Sequence, residues 1–330
     1  MNSIGRIFRI HIVGESHGEC VGVIIDGCPA GLPIAVTDFE KDLERRKGGT
    51  QKGTTPRKED DIPFIKTGVF NGKTTGAPIT ILFENNNTRS GDYEKQKAIP
   101  RPGHADFTAG VKYGGYEDYR GGGHFSGRLT VGLVAAGVIA KKLLQTAIPV
   151  AHILEIGGES DIEKGLQKAI DQKDSIGGIV ECRVSGLPVG LGEHFFDSVE
   201  SVLAHAVFSI PAIKGIEFGA GFSAAKMFGS DHNDSILDAS GKTDSNYAGG
   251  VVGGITNGNE LVFRVAVKPT SSTPKEQTTW NRETEQLDTL SVKGRHDLCI
   301  ALRVPVVLEA VTAVVLTDLM LLEQKINKIL

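Results

Sequence analysis

Two long apolar stretches dominate the architecture of this chain: SGRLTVGLVAAGVIAKKLL at residues 126–144 and VVLEAVTAVVLTDLMLL at residues 306–322. Both are apolar on nearly every side, whereas a helix at a protein surface carries one apolar and one polar face. Each stretch therefore predicts a helix that is buried all round. Neither is expected to cross a membrane, because the longest uncharged apolar run is too short and Glu309 and Asp318 interrupt the second stretch.

Short strand-like segments lie between and around these two stretches. Residues 4–13, 21–26, 79–83, 179–184 and 261–267 are predicted strands. In the last two, charged residues alternate with apolar ones, so that one face of the sheet meets water. Buried helices combined with sheets that are wet on one face predict an α+β fold, in which mostly antiparallel sheets sandwich the inner helices.

The remaining helices and the domain organisation follow from simpler signals. Residues 162–171 and 199–208 have amphipathic helical periodicity, and Thr37 with Glu40 predicts a capping box at the start of a further helix. Glycine-rich loops recur along the whole chain without a linker or a shift in composition. We therefore predict a single domain over residues 1–330.

The composition narrows the class of function. The 330 residues include 36 Lys and Arg against 40 Asp and Glu, which gives a net charge of −4 and argues against a nucleic-acid-binding chain. Glycine is abundant, at 42 residues, and supplies the tight turns and close backbone approaches that anion and cofactor sites need. The four cysteines form no C-x-x-C pair, which predicts neither a zinc site nor a disulfide scaffold and fits a reducing cytoplasm.

The glycine-rich loops carry Arg, Lys, His and Ser rather than acidic clusters. They read GESHG at residues 14–18, RPGHAD at 101–106, RGGGHFSGR at 120–128, KPTSS at 268–272 and KGRHD at 293–297. Successive glycine N–H groups before a helix form an anion site, and a buried Arg128 requires an anionic partner. Taken singly, each loop is equally well explained as a turn or a helix cap. Together they predict a small polyanionic ligand, phosphorylated or carboxylated, and no metal site.

In their order along the chain, these motifs resemble the chorismate synthase family, from about residue 5 to about residue 318. The double arginine at residues 45–46 and TTGAP at residues 74–78 belong to the same pattern. The resemblance implies a lyase that converts 5-enolpyruvylshikimate 3-phosphate to chorismate and phosphate by anti-1,4 elimination, the last common step towards the aromatic amino acids. It also implies reduced FMN as cofactor, NADPH as reductant in a bifunctional form, a homotetramer, a cytoplasmic location, and neither a nucleic-acid nor a membrane partner.

The resemblance also implies roles for individual residues. His17 would protonate the leaving phosphate, His104 would protonate the reduced flavin, and Asp297 would act as base. The flavin contacts would be His124, Phe125, Ser126, Pro211, Ala212, Gly253, Lys268, Pro269, Thr270, Ser271, Ser272 and Arg295. The substrate or NADP contacts would be Arg46, Lys52, Arg57 and Arg128.

The chain departs from the family pattern at several positions, and other functions stay open. HFSGRL at residues 124–129 replaces the usual RSSARE, Lys52 replaces an arginine, and Leu298 replaces a proline. These changes bear on flavin affinity more than on the class of reaction. The alternatives are a flavin reductase, a catalytically lapsed member of the family, and an anion- or RNA-binding protein that uses the basic loop at residues 45–58. The net charge and the scarcity of aromatic residues argue against RNA.

Overall fold

The structure of the protein is a computed structural model that describes residues 1–49, 52–55, 60–86, 97–292 and 296–324. The helices are α1 (Glu40–Arg46), α2 (Asp106–Tyr113), α3 (Thr130–Leu144), α4 (Ile162–Gln172), α5 (Val199–Val207), α6 (Gly229–His232) and α7 (Val304–Leu322). The strands are β1 (Ser3–Ile4), β2 (Arg9–Gly14), β3 (Cys20–Asp26), β4 (Phe64–Thr67), β5 (Val69–Phe70), β6 (Lys73–Thr74), β7 (Ile79–Glu84), β8 (Val150–Ile156), β9 (Gly178–Val184), β10 (Ile213–Phe218), β11 (Val251–Val252), β12 (Ile255–Thr256), β13 (Leu261–Val267), β14 (Gln277–Asn281) and β15 (Gln286–Leu290).

Two antiparallel sheets form the outer layers of the molecule. The five-stranded sheet has the order β1-β2-β3-β7-β4, and the four-stranded sheet has the order β10-β13-β9-β8. Alternate residues of β13 face the core, and between them Arg264 pairs with Glu217 of β10 at 2.8 Å. The predicted wet face of this sheet therefore carries ion pairs.

The two central helices lie between these sheets, as the sequence predicts. Helix α3 packs on β2, β3 and β7 of the larger sheet, and α7 packs on β8 and β9 of the smaller sheet and on α5. The helices also pack against each other, and both are buried along most of their length. The predicted sandwich of antiparallel sheets around inner helices is confirmed.

Two glycines let the layers approach closely. A Cβ atom at Gly137 of α3 would lie 2.4 Å from the Cα atom of Ala310 in α7, and one at Gly132 would lie 2.7 Å from the carbonyl oxygen of Gly22 in β3. Real side chains do not tolerate such distances. Glycine is therefore required where α3 crosses its two neighbouring layers.

The predicted strand at residues 4–13 is wrong as a single element. The chain turns at Gly5, which has a φ of 98°, and continues as two strands, β1 and β2, that pair with each other. The backbone N–H groups of Arg6, Ile7 and Phe8 donate to the carboxylate of Asp318 in α7 at 2.7–2.9 Å. This carboxylate fixes the turn, and no local sequence pattern reveals it.

The predicted capping box at Thr37 and Glu40 is also wrong. A 3₁₀ turn at Val36–Phe39 precedes α1, and the Asp38 carboxylate accepts a hydrogen bond from the N–H of Ala35 at 2.8 Å. Asp38 lies three residues after Ala35. Its carboxylate therefore makes the hydrogen bond to the backbone N–H at the helix start that the sequence predicted for Glu40.

Among the described residues, one helical stretch, Ile300–Leu322, is long and apolar enough to cross a membrane, contrary to the expectation from its two acidic residues. Of its most apolar window, 83% is buried inside the fold. Its place between α3, α5 and the four-stranded sheet accounts for this composition.

Candidate active site

A cavity of about 670 Å³ opens where the first turns of the two central helices meet the glycine-rich loops. Thr130 and Leu133 of α3 and Val304 and Val307 of α7 form part of its wall. The N-terminal ends of helices carry partial positive charge, so both helices favour an anion at this place. The described residues that line the cavity include six Lys or Arg side chains against two carboxylates.

Many of the sequence-predicted site residues meet in this cavity. Those that line it are Arg46, His104, His124, Phe125, Ser126, Arg128, Pro211, Ala212, Lys268, Thr270, Ser271, Ser272 and Asp297. They come from six separate parts of the chain. The fold therefore brings together most of the loops that the sequence analysis singled out.

A run of three glycines, residues 121–123, lies against the rings of the two histidines for which the resemblance implies a catalytic role. Gly121, Gly122 and Gly123 all have positive φ, between 52° and 82°. A Cβ atom at Gly121 would lie 2.4 Å from the ring of His17, and one at Gly122 would lie 2.9 Å from the ring of His104. Gly121 lines the cavity, whereas the buried His17 lies behind it. Both imidazole rings therefore pack directly against the backbone of this glycine run, where a side chain would not fit.

His104 is held by a charged pair within its own loop. Its Nδ1 atom lies 2.6 Å from the Asp106 carboxylate, which also accepts hydrogen bonds from the Arg101 guanidinium at 2.8 Å. Burial alone would raise the pKa of Asp106, but these hydrogen bonds from Arg101 and His104 outweigh it and lower the pKa. Because the ionised carboxylate is an acceptor only, Nδ1 of His104 carries the proton towards it.

Asp297 has a donor on each of its carboxylate oxygens. Oδ1 accepts from the backbone N–H of Thr55 at 2.9 Å, and Oδ2 accepts from the Arg303 guanidinium at 3.2 Å. Arg303 also donates to the carbonyl of Arg46 at 2.8 Å, and the N–H of Leu298 donates to the carbonyl of Gly53 at 2.9 Å. These bonds connect Asp297 to the basic segment that follows α1.

The two buried arginines of the predicted anion site share one carboxylate. Arg46 donates to one oxygen of Asp61 at 2.6 Å, and Arg128 donates to the other oxygen. Burial would raise the pKa of Asp61, but the charges of the two arginines outweigh it and lower the pKa. Burial lowers the pKa of Arg46 to about 10, so its guanidinium stays charged near neutral pH.

His124 occupies the position where the resemblance expects an arginine. Its Nδ1 atom lies 2.8 Å from the carbonyl oxygen of Gly14, at the end of β2. Since a carbonyl only accepts, Nδ1 carries the proton and a neutral ring keeps an acceptor at Nε2. The next residue, Phe125, is half-exposed at the cavity wall and lies against Tyr113, with ring centroids 6.3 Å apart.

Four residues of the segment 268–272 form a further part of the wall: Lys268, Thr270, Ser271 and Ser272. Lys268 donates to the hydroxyl of Ser271 at 2.7 Å, and that hydroxyl donates to the carbonyl of Gly103 at 2.7 Å. The buried Thr270 Oγ1 has no hydrogen-bond partner among the described residues. Ala212 has a φ of 76°, which is strained for a residue with a side chain, and its carbonyl accepts from the N–H of Lys268. A strained residue and an unpartnered hydroxyl at a cavity wall are typical of a ligand site.

Several predicted site residues lie elsewhere. Gly253 is in the exposed turn between β11 and β12, Lys52 donates to Gln167 at 3.2 Å on the surface, and Pro269 is exposed; none of these three lines the cavity. Arg57 and Arg295 lie outside the described residues. Their roles stay predictions.

Reasoning from single motifs missed further residues of the cavity wall. Arg101, Asp61, Arg303 and His296 all line it. Burial, together with the charges of Arg101 and His104, lowers the pKa of His296, which favours the neutral imidazole. Arg101 lies inside the motif RPGHAD and His296 inside KGRHD, whereas Asp61 and Arg303 belong to no recognisable motif. In the described parts of the chain, no group of three or more His, Cys, Asp or Glu residues is arranged to hold a metal ion.

A family model, related sequences and a solved structure all indicate the chorismate synthase family. The family model described as chorismate synthase matches residues 8–321. The chain is 72% identical over 330 residues to the chorismate synthase of Chitinophaga pinensis, covering 100% of this chain and 99% of that protein. It is 47% identical over 351 residues to the chorismate synthase of Dehalococcoides mccartyi, covering 97% and 96%. A crystal structure of chorismate synthase matches with a TM-score of 0.74 and 27% identity, over 97% of this chain and 93% of that chain.

Proposed function

Because the chain belongs to the chorismate synthase family and is therefore a lyase of aromatic biosynthesis, we propose that it converts 5-enolpyruvylshikimate 3-phosphate to chorismate and inorganic phosphate. In this step two bonds break: the bond between the ring carbon and the ester oxygen of the phosphate, and the C6–H bond. The ring gains a double bond, with no net redox change. The observation that supports the proposal is a cavity in which cationic side chains, the imidazole of His104 and the carboxylate of Asp297 converge.

The cationic wall suits a substrate with one phosphate and two carboxylates. Arg46 and Arg128 are buried and charged, and Lys268 and Arg101 lie on other parts of the wall. In a site shielded from water, such charges bind anions more strongly than they would at the surface, and they stabilise the negative charge that develops on the leaving phosphate.

The residues present also fit reduced FMN. The unpartnered Thr270 hydroxyl and the hydroxyls of Ser126 and Ser271 can hold polar edges of a cofactor, while Ile10, Leu133 and Val307 offer an apolar wall. When bound, reduced FMN would lend electron density transiently during the elimination and help to accept the C6 hydrogen. His124, Phe125, Ser126, Pro211, Ala212 and the segment 268–272 would bind and orient it, and closure of the cavity would exclude water.

Three side chains would take part in proton transfer. His17 would donate a proton to the leaving phosphate, and His104, oriented through Nδ1 by Asp106, would hold a proton beside the cofactor. Asp297 would accept a proton as base. Each of its oxygens accepts one hydrogen bond and keeps a second lone pair, so Asp297 could accept a proton while Thr55 and Arg303 hold it in place.

The wider context is proposed on the same basis. We expect a cytoplasmic homotetramer that acts on a small phosphorylated molecule, without nucleic-acid or membrane partners. Several large aromatic side chains are strongly exposed in a single copy of the chain, which supports assembly: Phe195, Phe196, Phe222 and Phe228. NADPH would serve as reductant if the enzyme reduces its own flavin.

The test is anaerobic release of phosphate from 5-enolpyruvylshikimate 3-phosphate, with and without chemically reduced FMN. Flavin-dependent release together with chorismate absorbance is the expected result. Release that does not depend on flavin would contradict the role of the cofactor. No release from a protein that binds FMN would contradict the proposed reaction and favour a lapsed site. Oxidised FMN with NADPH in place of reduced FMN then tests for reductase activity.

A further inference from the structure

The carboxylate of Asp61 lies between two cationic side chains of the cavity wall. Its side chain is fully buried, and each of its two oxygens accepts a hydrogen bond from a different guanidinium, that of Arg46 or that of Arg128. Arg46 comes from the end of α1, and Arg128 from the turn before α3. Within the part of the chain that the structure describes, Asp61 is the one side chain that accepts hydrogen bonds from both arginines.

The two arginines depend on Asp61 to different degrees. Arg128 has further acceptors, since its Nε donates to Asn85 at 3.1 Å and its Nη2 donates to the carbonyl of Glu84 at 3.2 Å. Arg46 has one other acceptor, the Thr130 hydroxyl at 3.3 Å, and its buried Nε has no partner among the described residues. The direction of the Arg46 guanidinium is thus set mainly by Asp61.

The backbone at Asp61 supports a specific role. Its φ is 48°, in the left-handed region that a residue with a side chain rarely adopts. Such a conformation costs free energy and persists where surrounding contacts enforce it, often at functional sites. The two buried ion pairs are contacts that can hold Asp61 in this conformation.

We propose that Asp61 is a positioning residue for anion binding: it holds Arg46 and Arg128 side by side, so that the cavity presents one preformed pair of guanidinium groups to the phosphate or carboxylate of the ligand. The inference rests on the proposed function for the identity of the ligand, but the positioning itself concerns any small oxyanion. Preformed charges need no reorganisation when the ligand arrives, which favours binding.

Two other roles for Asp61 make different predictions. If Asp61 competed with the ligand for the arginines, its removal would strengthen anion binding, because a net positive charge would be gained. If Asp61 served charge balance alone, any carboxylate at this position would suffice. Positioning predicts that removal weakens anion binding and that a displaced carboxylate does not restore it.

The experiment compares Asp61→Asn with the wild-type protein and with Asp42→Asn. Asp42 is also buried and paired with cations, Lys141 and Arg45, but it does not line the cavity. Binding of inorganic phosphate is measured by calorimetry without flavin or substrate, and KM and kcat are measured by phosphate release. In Asp61→Asn we expect the Kd for phosphate and the KM to rise about tenfold or more, with a smaller change in kcat. Asp42→Asn should leave both constants near the wild-type values.

Asp61→Glu keeps the charge and moves the carboxylate by one methylene group, and it provides the answer if Asp61→Asn does not fold. We expect weaker phosphate binding in this variant as well. Phosphate binding that is unchanged or tighter in either folded variant would overturn the proposal. Phosphate binding needs no turnover, so the two proposals can fail separately. If the variants lose phosphate binding and the wild-type protein shows no lyase activity, the proposed function is contradicted while the role of Asp61 is supported.

Discussion

Among single residues, His104 illustrates how a short loop can prepare a group for the catalytic role that we propose for it. The loop RPGHAD places a guanidinium and a carboxylate on the same ring, with Asp106 at 2.6 Å from Nδ1. The carboxylate fixes which nitrogen carries the proton, and Gly122 allows the ring to pack against backbone. The same contacts that hold the loop together therefore set the state in which His104 faces the cavity.

Replacement of either candidate acid should remove most of the turnover. We expect His17→Ala and His104→Ala to lower kcat by about 10²–10⁴-fold, because a positioned proton donor contributes that much to the rate. Both variants should stay folded, as judged by thermal unfolding. His152→Ala, on the outer sheet at β8, is the matched control and should keep the wild-type rate. Wild-type rates in both His17→Ala and His104→Ala would contradict the acid–base assignment.

The pKa of Asp106 predicts a dependence of stability on pH. Since this pKa is lower in the folded protein than in the unfolded chain, the unfolded chain binds more protons near pH 4. The contribution of Asp106 to the free energy of unfolding is therefore complete above its ordinary pKa and falls as the pH drops below it. Asp106→Asn should lose about 2 kcal/mol at pH 7 and less at pH 3.

Chemical denaturation at several pH values measures this contribution. Asp171→Asn, at an exposed position of α4, is the control and should have little effect at any pH. An equal loss of stability for Asp106→Asn at pH 3 and pH 7 would show that the stabilisation does not depend on the charge of Asp106.

At the element scale, the close crossing of α3 and α7 decides how the layers fit together. The two helices expose their N-terminal turns to one cavity because they cross at Gly137 and Ala310. A change in their separation would move Thr130 and Val304 apart. Packing at the middle of the helices and geometry at the cavity are thus linked through rigid elements.

Gly137→Ala tests this link. The added Cβ atom would lie 2.4 Å from the Cα atom of Ala310, so the helices must separate or the protein must lose stability. We expect a loss of about 1–3 kcal/mol in the free energy of unfolding, as for other overpacked cores. Gly229→Ala is the control, because nothing lies within 4 Å of the added atom. Wild-type stability in Gly137→Ala would show that the crossing is looser than the structure indicates.

Helices and strands could be predicted from the sequence where the local pattern of apolar and polar residues alone determines them. The all-round apolar character of residues 306–322 predicted α7 and its burial, and alternation predicted β9 and β13. The break between β1 and β2 could not be predicted, because it depends on Asp318, about 310 positions further along the chain. Periodicity carries no information about a carboxylate that caps a distant turn.

At the scale of the whole molecule, the site consists of loops that are far apart in sequence and adjacent in space. The motifs around His104, His124 and Lys268 could be predicted to share one ligand, because each carries groups that bind anions. Asp61 could not be predicted, since its importance lies in Arg46 and Arg128, which the fold brings to it. Single acidic residues in polar segments are common, and only tertiary contact distinguishes this one.

The last prediction concerns assembly. Phe195 and Phe196 are 79% and 91% exposed in one copy of the chain, and Phe195 has a φ of 63°, so the backbone is strained where it displays the ring. A strained backbone conformation persists where surrounding contacts enforce it, and aromatic residues are enriched at the centres of interfaces. We therefore place this pair in an interface of the proposed homotetramer.

The double variant Phe195→Asp, Phe196→Asp puts two charges where apolar contact is expected, and burying unpaired charges is unfavourable. By light scattering after gel filtration, the wild-type protein should have the mass of a tetramer and the variant a smaller mass. Because both side chains are exposed in the single chain, the variant subunit should still unfold cooperatively. A tetrameric variant would place the pair outside the interface, whereas a monomeric wild-type protein would refute the assembly itself.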